Sequence, residues 1–214
     1  PLEKQSAVRV GLGDVFSLSA DYEQALEQYD LAALVEQRSH YLAAIHRKRG
    51  RVLERFGLYD RSREAFEIAI DSMKDNLDEG EAGHIYSGLS LVYYHRNELD
   101  MAVELGNLAL SMLERVGDER GVAQACNNLG VVLRKTGDLQ LSENYLQKCL
   151  AIMEKRADSY GLAVCHNNLG LLAMDAHLWE RAVGFLESSL GLFGTMNNRH
   201  GLARAHDSLG ELFD

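Results

Sequence analysis

Gly121 to Met153 reads GVAQACNNLGVVLRKTGDLQLSENYLQKCLAIM, and its opening returns forty residues later as GLAVCHNNLGLL, Gly161 to Leu172. It returns once more as GLARAHDSLGEL, Gly201 to Leu212. A fixed period of this length marks an array of supersecondary units, each too small to bury its apolar face alone. Working outward from Gly130, the same slot falls on Gly13, Gly50, Ser90, Gly170 and Gly210, spaced 37 residues once and 40 thereafter. Seven positions past the slot stand Ala20, Gly57, Asn97, Gly137 and His177, and two further on Tyr22, Tyr59, Leu99, Leu139 and Trp179. Small residues occupy the twelfth position (Ala25, Ser62, Ala102, Ser142, Ala182) and the nineteenth (Ala32, Ala69, Ala109, Cys149, Ser189).

Glycine inside a helix costs roughly 1 kcal/mol relative to alanine, so its return at one slot asks for a packing reason. The pattern predicts a first helix carrying the slot, a turn, and a second helix whose small residues let the two backbones approach. Five such pairs and an eleventh helix account for the chain, with no sheet. The apolar spacing places early helices around Ala7 to Leu18, from Asp21 to about Gln37, and from Tyr41 to Phe56. Asp78, Asp118, Asp158 and Asn198 recur forty apart; such side chains accept from the free N–H groups at a helix start, so they are expected to open first helices. Arg49 stands where the other repeats have Leu before the slot. Either its stem snorkels over the core edge or the pairing is looser there.

The Leu-Gly of the first helix, the small residues of the second and the aromatic or Leu after the turn resemble the tetratricopeptide repeat. The forty-residue period is similar to the long repeats of Leu-Gly-Asn polarity scaffolds and of bacterial regulators. The resemblance covers the chain and implies an all-α, right-handed superhelical solenoid of antiparallel helix pairs. It would be a single array with repeats at about 1–37, 38–77, 78–117, 118–157, 158–197 and a partial one at 198–214. It also implies a protein- or peptide-binding scaffold or regulatory module, without enzymatic activity and without cofactor. The alternative is an intramolecular sensor arm of a larger signalling ATPase, nucleotide cyclase or transcription regulator.

Ten net negative charges oppose generic nucleic-acid binding, which needs a basic face. No run of eighteen apolar residues and no signal-peptide pattern occurs, so a soluble cytoplasmic protein with no membrane partner is expected. Cys126, Cys149 and Cys165 lack the spacing of a disulfide framework or metal site and read as buried thiols. His46, His166 and His206 share a slot four before the glycine but have no third ligand, so no metal is expected. The chain begins at Pro1 and stops four residues past Gly210, which suggests a piece of a longer protein. Its last helix leaves Leu209, Leu212 and Phe213 without a covering second helix, an arrangement expected to favour self-association.

In tetratricopeptide folds the groove is lined by first helices, at positions six, three and two before the slot and one, four and five after it. Carried onto this chain, these positions include Arg47, Arg51 and Arg55 in repeat two and Tyr94 and His95 in repeat three. They include Asn127, Asn128, Arg134 and Lys135 in repeat four, and Asn167, Asn168 and Leu171 in repeat five. Arg38 to Arg63 carries eight basic residues against Glu54 and Asp60, a local excess opposite to the global sign. Paired asparagine amides both donate and accept, as holding a peptide main chain requires. The expected partner is therefore an extended protein or peptide segment, acidic at the end nearest repeat two. The family's clamp for a C-terminal carboxylate is not reproduced, because Arg51, Gly88, Gln124 and Asn128 stand where it needs Asn or a cation.

Overall fold

A computed structural model describes residues 2–213, and the chain divides into two compact units, Pro1–Gly117 and Asp118–Asp214. The N-terminal unit holds three helix pairs: α1 (Leu2–Leu18) with α2 (Tyr22–Val35), α3 (Ser39–Arg55) with α4 (Tyr59–Asp71), and α5 (Glu79–His95) with α6 (Leu99–Arg115). The C-terminal unit holds α7 (Glu119–Thr136) with α8 (Leu139–Lys155), α9 (Ser159–Asp175) with α10 (Trp179–Thr195), and α11 (Arg199–Phe213) packed on α9 and α10. No strand occurs among the described residues.

Helix ends follow the side chains. Asp78, Asp118, Asp158 and Asn198 each accept from the backbone N–H three residues on, at 2.8–2.9 Å, satisfying a donor that the helix itself leaves open. The turn after each first helix pivots on a left-handed residue, Gly137 at φ 89° and the less tolerant Asn97 and His177 at 64° and 57°. One boundary departs from expectation: α1 starts at Leu2 rather than near Ala7. Leu, Glu, Lys and Gln are good helix formers, but they place no apolar stripe before Ala7 for periodicity to detect.

The glycine slot is a contact between the helices of a pair. A Cβ on Gly130 would lie 2.6 Å from Leu146 Cγ, one on Gly170 2.6 Å from Leu186 Cγ, and one on Gly13 2.6 Å from the Tyr29 ring. Closeness also lets a hydroxyl bridge the pair: Ser62 and Ser142 donate to the carbonyls of Gly50 and Gly130 at 2.7 Å. In repeat three the roles swap, and Ser90 in the slot donates to the Ala102 carbonyl at 2.7 Å. The glycine of Gly-x-Ala serves the next interface, since a Cβ on Gly161 would overlap Met153 of α8 and one on Gly201 would overlap Phe193 of α10.

Core residues in the N-terminal unit include Tyr29, Leu53, Phe66, Met73, Ile85 and Leu113, and in the C-terminal unit Leu129, Leu146, Leu169, Leu186 and Phe193. The three cysteines are buried and free. Arg49 Nε lies 2.7 Å from Asp30 Oδ1 of α2, with the side chain 21% exposed. Leu209 and Leu212 of α11 are half-buried, while the side chain of Phe213, the third member of the expected self-association strip, lies outside the described residues. No described helix is long and apolar enough to cross a membrane.

Candidate interaction face

The first helices of the C-terminal unit, α7, α9 and α11, touch their neighbours directly, and the joints between them are polar. Asn168 Nδ2 on α9 donates to Asn127 Oδ1 on α7 at 2.7 Å. Ser208 Oγ on α11 stands at the equivalent place, 3.3 Å from Asn167 Oδ1, and shares its one proton with the Arg204 carbonyl at 3.0 Å. At the other end of the face Arg134 Nη1 meets Asp175 Oδ2 at 3.2 Å. The N-terminal unit has the counterpart of that contact between α3 and α5, where Glu54 Oε1 and His95 Nε2 are 3.1 Å apart. All four contacts join residues 41 apart, one more than the repeat. The residue three before the slot meets the one two before the next slot, and the residue four after meets the one five after.

The four asparagines expected to grip a peptide main chain are consequently below the surface, Asn127 at 9% exposure and Asn128, Asn167 and Asn168 at 2–6%. Gln124 Nε2 adds a bond to Asn128 Oδ1 at 3.2 Å. A buried amide left unpaired costs about 1–3 kcal/mol, so adjacent helices that bury these groups must pair them. The amides expected to face a ligand instead form a ladder between helices. The available signal was complementary residue types 41 apart, Asn with Asn, Asn with Ser, Glu with His and Arg with Asp.

The basic run of repeat two is committed in the same way. Lys48 Nζ lies 2.7 Å from both oxygens of Asp14 on α1, and Asp14 also accepts from the Tyr29 hydroxyl at 2.7 Å. Burial, then that hydrogen bond and the Asp14 charge, push the Tyr29 phenol far above its ordinary range, with Arg55 and Arg47 pulling the other way. Arg47 binds Glu81 of α5, and the two side chains are 16% and 15% exposed. Arg51 is half-buried and Arg55 exposed. His95 stacks on Tyr59 with centroids 4.7 Å apart, and Tyr94 stands edge-on to His95 at 5.1 Å. Here too the expected ligand residues hold neighbouring helices together.

The same face still offers a surface above these joints. Val131 and Arg134 of α7, and Val164, Leu171 and Met174 of α9, are half-buried, with Lys135 on α7 and Arg204 on α11 exposed. Spacings of three and four residues on α7, and of seven and ten on α9, keep them on one side of each of these helices. The result in the C-terminal unit is an apolar strip with cationic edges over a floor fixed by buried amides.

Residues 121–195 match the tetratricopeptide repeat family. No curated protein matches the chain. Among solved structures, BtubC from P. vanneervenii aligns with a TM-score of 0.69 and 22% identity, over 88% of this chain and 80% of that one. The signal transduction ATPase with a tetratricopeptide repeat sensor from Pyrococcus horikoshii gives 0.74 and 12%, over 94% and 31%. The Rap conjugation gene regulator of plasmid pLS20, solved with a Phr peptide, gives 0.76 and 18%, over 92% and 56%. At these identities the likeness is one of fold, the tetratricopeptide solenoid.

Proposed function

We propose that this solenoid of tetratricopeptide-type repeats is a binding module that takes an extended protein or peptide segment along its first-helix face, as a scaffold or regulator rather than a catalyst. The amide ladder carries the reading. Because Asn127, Asn168, Asn167 and Ser208 fix α7, α9 and α11 side by side, the strip above them is formed before any ligand arrives, and little ordering is left to oppose binding. The peptide-bound Rap regulator, which has the same fold, supports a peptide as the kind of ligand.

Charge plays the smaller part. In the N-terminal unit Arg47 is already paired with Glu81, the two side chains 16% and 15% exposed, and Lys48 with Asp14. Selectivity therefore rests on Val131, Val164, Leu171 and Met174, with Arg134, Lys135 and Arg204 favouring acidic flanks. The test is a display screen for peptides that bind the whole chain, repeated with Val131→Glu, Leu171→Glu and, separately, Arg55→Glu. The strip variants are expected to weaken recovered peptides at least about tenfold, and Arg55→Glu only those with acidic flanks. If both strip variants stay folded and bind every recovered peptide as the parent does, the reading fails. A second reading, an arm that senses a ligand on behalf of attached domains, has its support in the alignment with the sensor of the P. horikoshii ATPase. A ligand that is not a peptide would favour it.

A further inference from the structure

Tyr22 and Tyr59, each nine past a slot, pack toward the last turn of the next first helix. Within the N-terminal unit both such contacts are made by rings. Tyr22 packs on Phe56 with centroids 5.8 Å apart, and Tyr59 stacks on His95 at 4.7 Å. The second is closed further by an ion pair of Arg96 with Asp60. The corresponding residues of the C-terminal unit are Leu139 and, at the end of α9, Asp175 and Ala176. Asp175 is engaged by Arg134, and Ala176 ends at its Cβ. A cleft of about 220 Å³ lies here between α8, α9 and α10, and one of about 240 Å³ borders Tyr22 and Phe56.

We propose that this cleft receives one aromatic side chain of a partner protein, on a surface separate from the first-helix strip. Size is the first argument, because the repeat accommodates rings at this position twice in the same chain. Chemistry is the second. Leu139, Leu172 and Phe185 supply apolar walls, and Phe185 offers a ring for edge-to-face or offset packing. The Arg181 guanidinium sits 5.9 Å from the Phe185 centroid and donates to Glu143 at 2.8 Å. It is placed to lie over an inserted ring, while the Glu143 carboxylate is an acceptor for a phenol O–H or indole N–H. An aliphatic side chain would use the walls and leave this rim unused. Leu178, 43% exposed at the cleft, extends the apolar area a partner would cover.

The test titrates N-acetyltyrosinamide, N-acetyltryptophanamide and N-acetylleucinamide into the whole chain while following the methyl resonances of Leu139, Leu172 and Ala176. The aromatic amides are expected to bind in the millimolar range and shift these methyls by ring currents, with the leucine amide at least about tenfold weaker. Ala176→Phe and Leu139→Tyr restore the rings that Phe56 and Tyr59 supply elsewhere; each is expected to fold and to abolish the shifts by filling the cleft from within. Absence of shifts at saturating probe, an equal response to the leucine amide, or shifts that persist in a filled variant overturns the proposal. So does loss of the helical circular dichroism spectrum in both variants, since the space would then not hold a ring.

Discussion

Gly130 and Gly210 occupy the same slot of the repeat and meet different surroundings. A Cβ on Gly130 would press to 2.6 Å on Leu146 Cγ, whose side chain is fully buried, whereas one on Gly210 finds nothing within 4 Å. Helix propensity alone favours alanine at both by roughly 1 kcal/mol. Overpacking costs about 1–3 kcal/mol, enough to reverse the sign at Gly130. Gly130→Ala is therefore expected to lower stability in urea unfolding, and Gly210→Ala to raise it. Two shifts of the same sign would show that the slot is not a packing contact. Both the slot and this difference were legible in the repeat pattern, because Gly130 is followed by a second helix within the chain and Gly210 is not.

At the scale of elements, the caps and the slot were legible because each is a local rule repeated in register: Asp118 and Asp158 accept from the N–H three residues on in every copy. The joints between first helices were not. Aligning copies at forty residues places Asn127 under Asn167 and Asn128 under Asn168, yet the bond runs from Asn168 to Asn127, one residue out of register, because neighbouring helices touch along adjacent rather than equivalent edges. A ladder of this kind makes a specific prediction about stability. Asn168→Leu should cost about 1–3 kcal/mol by leaving the buried Asn127 oxygen unpaired, whereas replacing both partners by apolar groups is less costly than adding the single losses. A double-mutant cycle on Asn127→Leu and Asn168→Leu, read by urea unfolding, is expected to show positive coupling. Additive losses would mean that the two amides do not form a pair.

For the whole chain, the informative variable is pH, because two effects of opposite sign meet below neutrality. With ten net negative charges, acidification relieves self-repulsion, which favours the compact state. His46 and His166 act the other way. Burial is the main cause holding both below the ordinary imidazole value, helped at His46 by Arg49 against Asp30 and opposed at His166 by Glu154. Nδ1 of each is buried without a hydrogen-bond partner among the described residues. A depressed folded pKa means the unfolded chain binds more protons once pH drops below about 6.5. Stability then falls with pH from that point until the folded-state pKa is passed. A second loss follows at lower pH: Glu36, held at about 2 chiefly by its hydrogen bonds from Arg38 against its burial, contributes stability above about 4.5 that disappears as pH falls toward 2. Melting temperatures of the parent and of the His46→Gln, His166→Gln double variant between about pH 7.5 and 5.5 separate the effects, since both proteins share the bulk charge. The parent is expected to lose ground to the variant as pH falls through this window, while the Glu36 loss, common to both, lies below it. A difference that stays constant across the window would rule out the buried histidines as its source.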